Sequence, residues 1–192
     1  VKIARQSGVK VLLTGQGADE LLCGYRKYPL FYIKYLIQKG QIKTALDFVN
    51  SFYKNKTIFN QWNFSEAKRY LKFIPQNGIL NARGDALNDV VMLNLGLEKN
   101  SSILYRQIKD FNSLSIPQLL HTEDRMSMAN SSEIRAPFLD YQFIEEILPL
   151  NINHKLNQGW TKFIFRKAME DFLPKEIVWR KDKQNFGNGQ GE

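Results

Sequence analysis

Three clusters of side chains in this 192-residue sequence could do chemistry. The first is Thr14-Gly15-Gln16-Gly17-Ala18-Asp19-Glu20, directly after the apolar run 9–13. Two spaced glycines permit a tight turn and close approach of backbone to a ligand. Asp19 and Glu20 then stand in the first turn of a helix expected over residues 18–25. The helix dipole alone favours carboxylates there. They also suit a phosphate reached through magnesium, which a bare phosphate cradle would not need.

The second cluster is His121-Thr-Glu-Asp124-Arg125-Met-Ser-Met-Ala-Asn-Ser-Ser-Glu133-Ile-Arg135-Ala-Pro137. Its charges read either as an internal salt-bridge network or as a pocket for a charged amino acid or adenylate. Glu133 and Arg135 alternate with Ile134 in an extended stretch, because Pro137 pushes Ala136 out of helical conformation. The third cluster is Gly159-Trp-Thr-Lys162-Phe-Ile-Phe-Arg166. Lys162 and Arg166, four apart on a helix, would share a face and repel without an anion between them. The alternative is a solvated basic edge of an amphipathic helix.

These clusters need elements to hold them. The run 9–13 is bounded by Gly8 and Gly15 and predicts a short buried strand. It is the one strand that the sequence predicts. A lone strand cannot satisfy its own backbone groups, so its partner is expected outside this chain. The rest reads as helical. The start is the tail of a helix ending at Ser7-Gly8. Pro29 opens a helix to Gln38 as its first residue, and Gly40 ends it. Ile42, Ala45, Leu46, Val49 and Phe52 form the next apolar stripe. An irregular crossover is expected over 57–64, then helices over 66–74 and 85–97. Ser115 as N-cap with Pro117 just inside opens a helix toward Ala129. Helices over 140–148 and 161–172 follow, with one further turn within 176–181.

Composition narrows the class. Hydrophobic residues make up 43%, with 13 Phe, 8 Tyr and 3 Trp, which argues for a packed globular core. No apolar run has the length of a membrane span. The single Cys23 excludes an internal disulfide framework, fits a reducing cytoplasm, and among Leu21 and Leu22 reads as a buried inert thiol. Two histidines and one cysteine make a structural zinc site an unpromising reading. The net charge of +8 invites a nucleic-acid reading, yet the lysines and arginines are dispersed and form no dense arm. A solvated surface or an acidic, polyphosphate partner accounts for them as well. The absent initiator methionine and the glycine-rich end make both termini read as cuts from a longer protein.

Taken in order, the clusters carry a resemblance. The blocks Leu12-Leu-Thr-Gly-Gln-Gly-Ala-Asp-Glu-Leu-Leu-Cys-Gly-Tyr25, Asp124-Arg-Met-Ser-Met-Ala-Asn-Ser-Ser-Glu-Ile-Arg-Ala-Pro-Phe-Leu-Asp140 and Gly159-Trp-Thr-Lys-Phe-Ile-Phe-Arg166 resemble the C-terminal synthetase domain of the glutamine-dependent asparagine synthetases. Leu173-Pro-Lys-Glu-Ile177 and Arg180-Lys-Asp-Lys-Gln-Asn-Phe-Gly187 extend the match; residues 31–112 match poorly. The resemblance implies that residues 1–192 are the C-terminal part of that domain. The fold expected is a predominantly α-helical part of an α/β ATP-pyrophosphatase (adenine nucleotide α-hydrolase-like) domain.

It further implies a ligase of the asparagine synthase (glutamine-hydrolysing) type in the cytoplasm. ATP and Mg2+ would serve to adenylate a carboxylate, foremost the aspartate side chain. Ammonia from an N-terminal glutaminase domain would then attack. By position, Thr14, Gly15, Gln16, Gly17 and Arg166 would contact ATP or pyrophosphate, and Asp19 would hold magnesium through pyrophosphate. Lys162, with Arg125 and Gln16, would be catalytic; Asp124, Glu133 and Arg135 would shape the site or support it. The resemblance leaves a homodimer open and gives no role to nucleic acid or membrane. The family's Ser-Gly-Gly-x-Asp-Ser loop and nucleophilic cysteine would precede residue 1, so the isolated chain is expected to be inactive. Gln16 stands where the common asparagine-making form has Glu, and an amide cannot usefully take a proton. A related amidotransferase acting on another carboxylate, for instance in surface-polysaccharide synthesis, is the alternative. A basic helical binding module and a non-catalytic scaffold are the more distant ones.

Overall fold

A computed structural model describes residues 1–57 and 102–181. The crossover and helices expected between 58 and 97 lie outside the described residues, as does the end of the chain beyond 181. The described elements run α1 (Lys2–Gln6), β1 (Val11–Leu13), α2 (Ala18–Leu21), α3 (Lys27–Gln38), α4 (Ile42–Asn55), α5 (Ile103–Lys109), one π-helical stretch (Asp110–Leu114), α6 (Ile116–Met128), β2 (Glu133–Arg135), a 3-10 turn (Pro137–Leu139), α7 (Tyr141–Ile147), α8 (Ile152–Lys155), α9 (Phe163–Ala168) and α10 (Lys175–Val178).

The core forms where α3 lays down its apolar face. Tyr28, Phe31, Tyr32 and Leu36 follow helical spacing and are buried with Cys23, Ala45, Ile103 and Leu156. Phe48 of α4 meets Tyr32 edge-on at 5.0 Å and Phe52 at 4.8 Å. Pro29 is the third residue of α3 rather than the first. The substitution of register costs nothing, because the first four amides of a helix have no intrahelical acceptor.

Buried charge lies beside this core. Asp110, fully buried, pairs with Lys27 at 2.9 Å and Arg106 at 3.2 Å and accepts from the Tyr28 hydroxyl at 2.8 Å. Gln107 donates to the carbonyls of Glu20 and Leu21 at 2.7 and 2.9 Å, satisfying the end of the short α2. Lys155, also fully buried, donates to Gln107 Oε1 at 3.2 Å and to the Leu148 carbonyl at 2.8 Å. Burial pulls its pKa down to about 8. Cys23 is buried as expected, and burial pushes its thiol up to about 12.

β1 finds its partner within the chain. It pairs in parallel with β2, Val11 opposite Glu133 and Leu13 opposite Arg135. The Thr14 amide donates to Arg135 at 2.9 Å and the Glu133 amide to Lys10 at 2.8 Å, extending the ladder at both ends. The expected outside partner is therefore corrected: the extended stretch before Pro137 takes that place. So is the expected burial, since Val11 is 39% and Leu13 75% exposed, only Leu12 being partly covered among the described residues. Two strands offer little surface to cover either face.

Candidate functional site

The glycine-rich loop leaves β1 and is held at two places. At the first, Thr14 Oγ1 and Gln16 Nε2 donate to the same carboxylate oxygen, Glu123 Oε1, at 3.1 and 2.9 Å. Glu123 comes from the middle of α6. Its other oxygen, Oε2, is buried and takes no hydrogen bond among the described residues. A cavity of about 270 Å³ opens beside it between α6 and β2, lined by Leu120, Asp124, Ser127, Met128, Glu133 and Ile134.

At the second place, Asp19 Oδ1 meets Lys162 Nζ at 2.9 Å, both side chains partly open to solvent. Gly17 between the two places takes φ 90°, and its Cα faces Leu139, where a methyl group would collide with that side chain. Gly24, with ordinary φ, leaves the room that the Asp19–Lys162 pair occupies: a methyl group there would meet Asp19 Oδ1 and Lys162 Cε, the ends of two flexible side chains.

α2 ends at Leu21, shorter than the expected 18–25, and Cys23 follows with φ 55°. A residue in the left-handed region cannot continue the helix. Asp19 and Glu20 do stand in its first turn, but only Asp19 is partly open to solvent, where it pairs with Lys162. Glu20 is fully buried; one oxygen accepts from the Tyr25 hydroxyl at 3.1 Å and from the Ser115 hydroxyl, and the other takes no hydrogen bond among the described residues. Ser115, expected to cap α6 through its side chain, spends its hydroxyl on Glu20 instead.

The expected shared face of Lys162 and Arg166 is corrected by the backbone. α9 begins at Phe163; Lys162 is its N-cap, with φ 54° and ψ 31°, and its amide donates to the Leu22 carbonyl at 3.2 Å. Arg166 donates from Nε to the Thr161 carbonyl at 2.9 Å and from Nη1 to the carbonyls of Val178 and Arg180, and its guanidinium lies 4.9 Å from the Trp160 ring centroid. Burial lowers its pKa. Each cation thus has its own partner, and no anion is needed to relieve repulsion between them.

Of the second cluster, Asp124 and Arg125 are exposed on α6. Glu133 and Arg135, two apart on β2, share a face and pair at 2.7 Å in solvent. The Arg135 guanidinium holds the Glu133 carboxyl below its usual range. Thr14, Gln16, Asp19 and Lys162 are therefore gathered around one loop; Glu133 and Arg135 pair with each other on the adjoining strand, Arg166 is taken up by backbone carbonyls, and Arg125 is exposed on α6. Glu123 is the residue that sequence reasoning passed over. Among the described residues no group of three or more His, Cys, Asp or Glu is placed to hold a metal ion. No described helix is long and apolar enough to cross a membrane.

The asparagine synthase family model matches residues 1–192. The chain belongs to the asparagine synthase family. It is 30% identical over 176 residues to asparagine synthetase [glutamine-hydrolyzing] 3 of Bacillus subtilis, a match covering 89% of this chain and 25% of that protein. It is 29% identical over 195 residues to asparagine synthetase [glutamine-hydrolyzing] 1 of the same organism, covering 90% of this chain and 30% of that protein. With the human asparagine synthetase [glutamine-hydrolyzing] it shares 34% identity over 95 residues, 48% of this chain and 16% of that protein. The chain thus spans between a quarter and a third of the length of the two Bacillus relatives. No solved structure matches it. Among the described residues, the loop bearing Thr14, Gln16 and Asp19 meets Glu123 at one end and Lys162 at the other.

Proposed function

We propose that this chain contributes the loop and lysine of a site at which ATP activates a carboxylate, which ammonia then converts to an amide. The aspartate side chain is the first candidate for that carboxylate, and glutamine, hydrolysed elsewhere in the full-length protein, is the source of ammonia. The observation that carries the reading is the Lys162–Asp19 pair at the mouth of a glycine loop, in a chain of this family.

Lys162 presents a compact ammonium on a backbone fixed by its own amide hydrogen bond. Such a charge stabilises negative charge gathering on the α-phosphate and on departing pyrophosphate. Asp19 holds that ammonium in place. One carboxylate beside a phosphate site also suits magnesium, which commonly keeps its waters and binds through one or two carboxylates plus substrate phosphates. Asp19 would hold the ion, whose chemistry is to neutralise phosphate charge. Gly15, with open space on its Cα side, lets the backbone approach the nucleotide, with Thr14 before it and Gly17 making the turn by its positive φ. Arg125 and Arg135 supply exposed guanidiniums for an anionic substrate, with Asp124 and Glu133 setting their surroundings. Arg166 enters as a brace for Trp160 and the segment after α10. Gln16, an amide bound to Glu123, favours keeping a second carboxylate substrate in view.

The test is product analysis with the full-length protein, ATP, Mg2+ and ammonium or glutamine, using aspartate and a panel of other carboxylates. AMP and pyrophosphate are expected, with amide formed on the carboxylate that supports them. ADP and phosphate would overturn the adenylation reading.

A further inference from the structure

Lys162 holds its ammonium against Asp19 from a backbone conformation, φ 54° and ψ 31°, that residues with side chains rarely adopt. These angles are the rotations of the two planar peptide units on either side of its Cα. Whatever holds both units therefore sets the direction in which the side chain leaves. The unit before Lys162 is tied at both ends: the Thr161 carbonyl accepts from Arg166 Nε at 2.9 Å, and the Lys162 amide donates to the Leu22 carbonyl at 3.2 Å. In the unit after it, the Lys162 carbonyl accepts from the Arg166 amide at 2.9 Å. Arg166 thus grips both. Its backbone bond is an ordinary first bond of α9, open to any residue that has an amide. Its side-chain bond is not, since it needs a donor that reaches back five positions.

The guanidinium is itself anchored. Nη1 donates to the carbonyls of Val178 and Arg180 around the end of α10, and the group lies 4.9 Å from the Trp160 ring centroid. Carbonyls past a helix end lack intrahelical donors and readily take such a cation. Nε and Nη1 are both spent on backbone. We propose that Arg166 is a positioning residue for Lys162: it locks the Thr161–Lys162 peptide in the orientation that sets the ammonium beside Asp19. This rests on the function proposed above. It differs from a direct contact between Arg166 and ATP, because the planar fork, and not the charge, is what the role requires. Lysine at 166 keeps the charge and loses the fork.

The experiment compares full-length wild type with Arg166→Lys, Lys162→Ala and the double variant, after circular dichroism and melting confirm that each folds. Pyrophosphate release is titrated in ATP. Arg166→Lys is expected to lower kcat about tenfold or more, because small misplacements of a reacting group are that costly, with the KM of ATP staying within about twofold. In the Lys162→Ala background the same exchange should lower kcat by less than about twofold, since residues acting as a unit do not add. A loss that appears in the KM of ATP, or one that is as large without Lys162 as with it, would overturn the proposal. A second readout does not depend on turnover. Brief treatment with acetic anhydride is followed by mass spectrometry, with the other lysines of the chain as reference. The Lys162 amine must leave Asp19 to react, so Arg166→Lys is expected to raise its acetylation severalfold; unchanged labelling overturns the proposal. Should Arg166→Lys melt too low to assay, Arg166→Gln, which also lacks the fork, takes its place in both measurements. If wild type releases no pyrophosphate with any carboxylate, the adenylation reading fails by itself, and the labelling alone decides on Arg166.

Discussion

The Lys162–Asp19 ion pair occupies the volume that a side chain on Gly24 would need. The two charged groups meet at 2.9 Å, and a methyl group at Gly24 would overlap both Asp19 Oδ1 and Lys162 Cε. Gly24 has an ordinary φ, so its lack of a side chain serves space and not backbone conformation.

Gly24→Ala should therefore separate the pair without straining the backbone. The atoms in the way are the far ends of two flexible, partly exposed side chains, so they can move aside at little cost to stability. Turnover of the full-length protein is expected to fall at least tenfold. Pyrophosphate release beside a thermal melt reads both, and normal turnover with a normal melt would show that the pair tolerates displacement.

Lys162 sits in the left-handed region as the cap of α9, and the two properties can be separated. Lys162→Ala and Lys162→Gly both remove the ammonium, which for a charge at a phosphoryl-type transition state is worth on the order of 3 kcal/mol, roughly a hundredfold in rate. They should differ in stability, Gly exceeding Ala by about 1 kcal/mol, because only Gly adopts this conformation freely. Chemical denaturation of the two variants tests this, and equal stability would mean that the backbone relaxes at 162.

Asp110 pairs with two buried cations, Lys27 at 2.9 Å and Arg106 at 3.2 Å. Asp110→Ala leaves both without it and should destabilise the protein by about 3–5 kcal/mol. Equilibrium unfolding in urea measures the loss; a change under 1 kcal/mol would mean that water or another group replaces the carboxylate.

Lys155 links stability to pH. Burial lowers its folded pKa to about 8, from an ordinary 10.5. Between these values the unfolded chain holds a proton that the folded chain has released, so this group makes stability rise with pH across that window. Below about 8 the penalty for burying the charge is present in full. Melting temperatures at pH 7.5 and 9.5 should show the rise in wild type relative to Lys155→Met, which lacks the titrating group. Identical pH dependence in the two would refute the assignment.

Helices whose ends carry chemical punctuation were legible in the chain: the residues around Ser115 and Pro117 predict α6, and the helix expected over 140–148 is α7, where the Asp140 carboxylate accepts from Gln142 and Phe143. α5 and the π-helical stretch after it went unforeseen, since their packing rests on buried polar residues, Arg106, Gln107 and Asp110, that sequence periodicity treats as surface. Glu133-Ile-Arg135 could be read as extended, but two charged residues in three carry no sign of pairing, so β1 seemed partnerless. The start of α9 was misplaced because nothing in the lysine side chain announces positive φ at 162. The loop was visible through its glycines. Its fastening by Glu123 was not, because that carboxylate sits among Asp124 and Arg125 and looks like another surface charge.

The parallel pairing of β1 with β2 also sets an order of events as the chain folds. Thr14 and Glu123 are 109 positions apart, and the strands flanking them are separated by a comparable stretch. Closing so long a loop loses entropy before any contact compensates, whereas α3 and α4 meet across a short turn. The aromatic helical pair is then expected early and the loop's fastening late, after the rate-limiting barrier. A change at Glu123 should accordingly leave the refolding rate almost untouched and appear as faster unfolding.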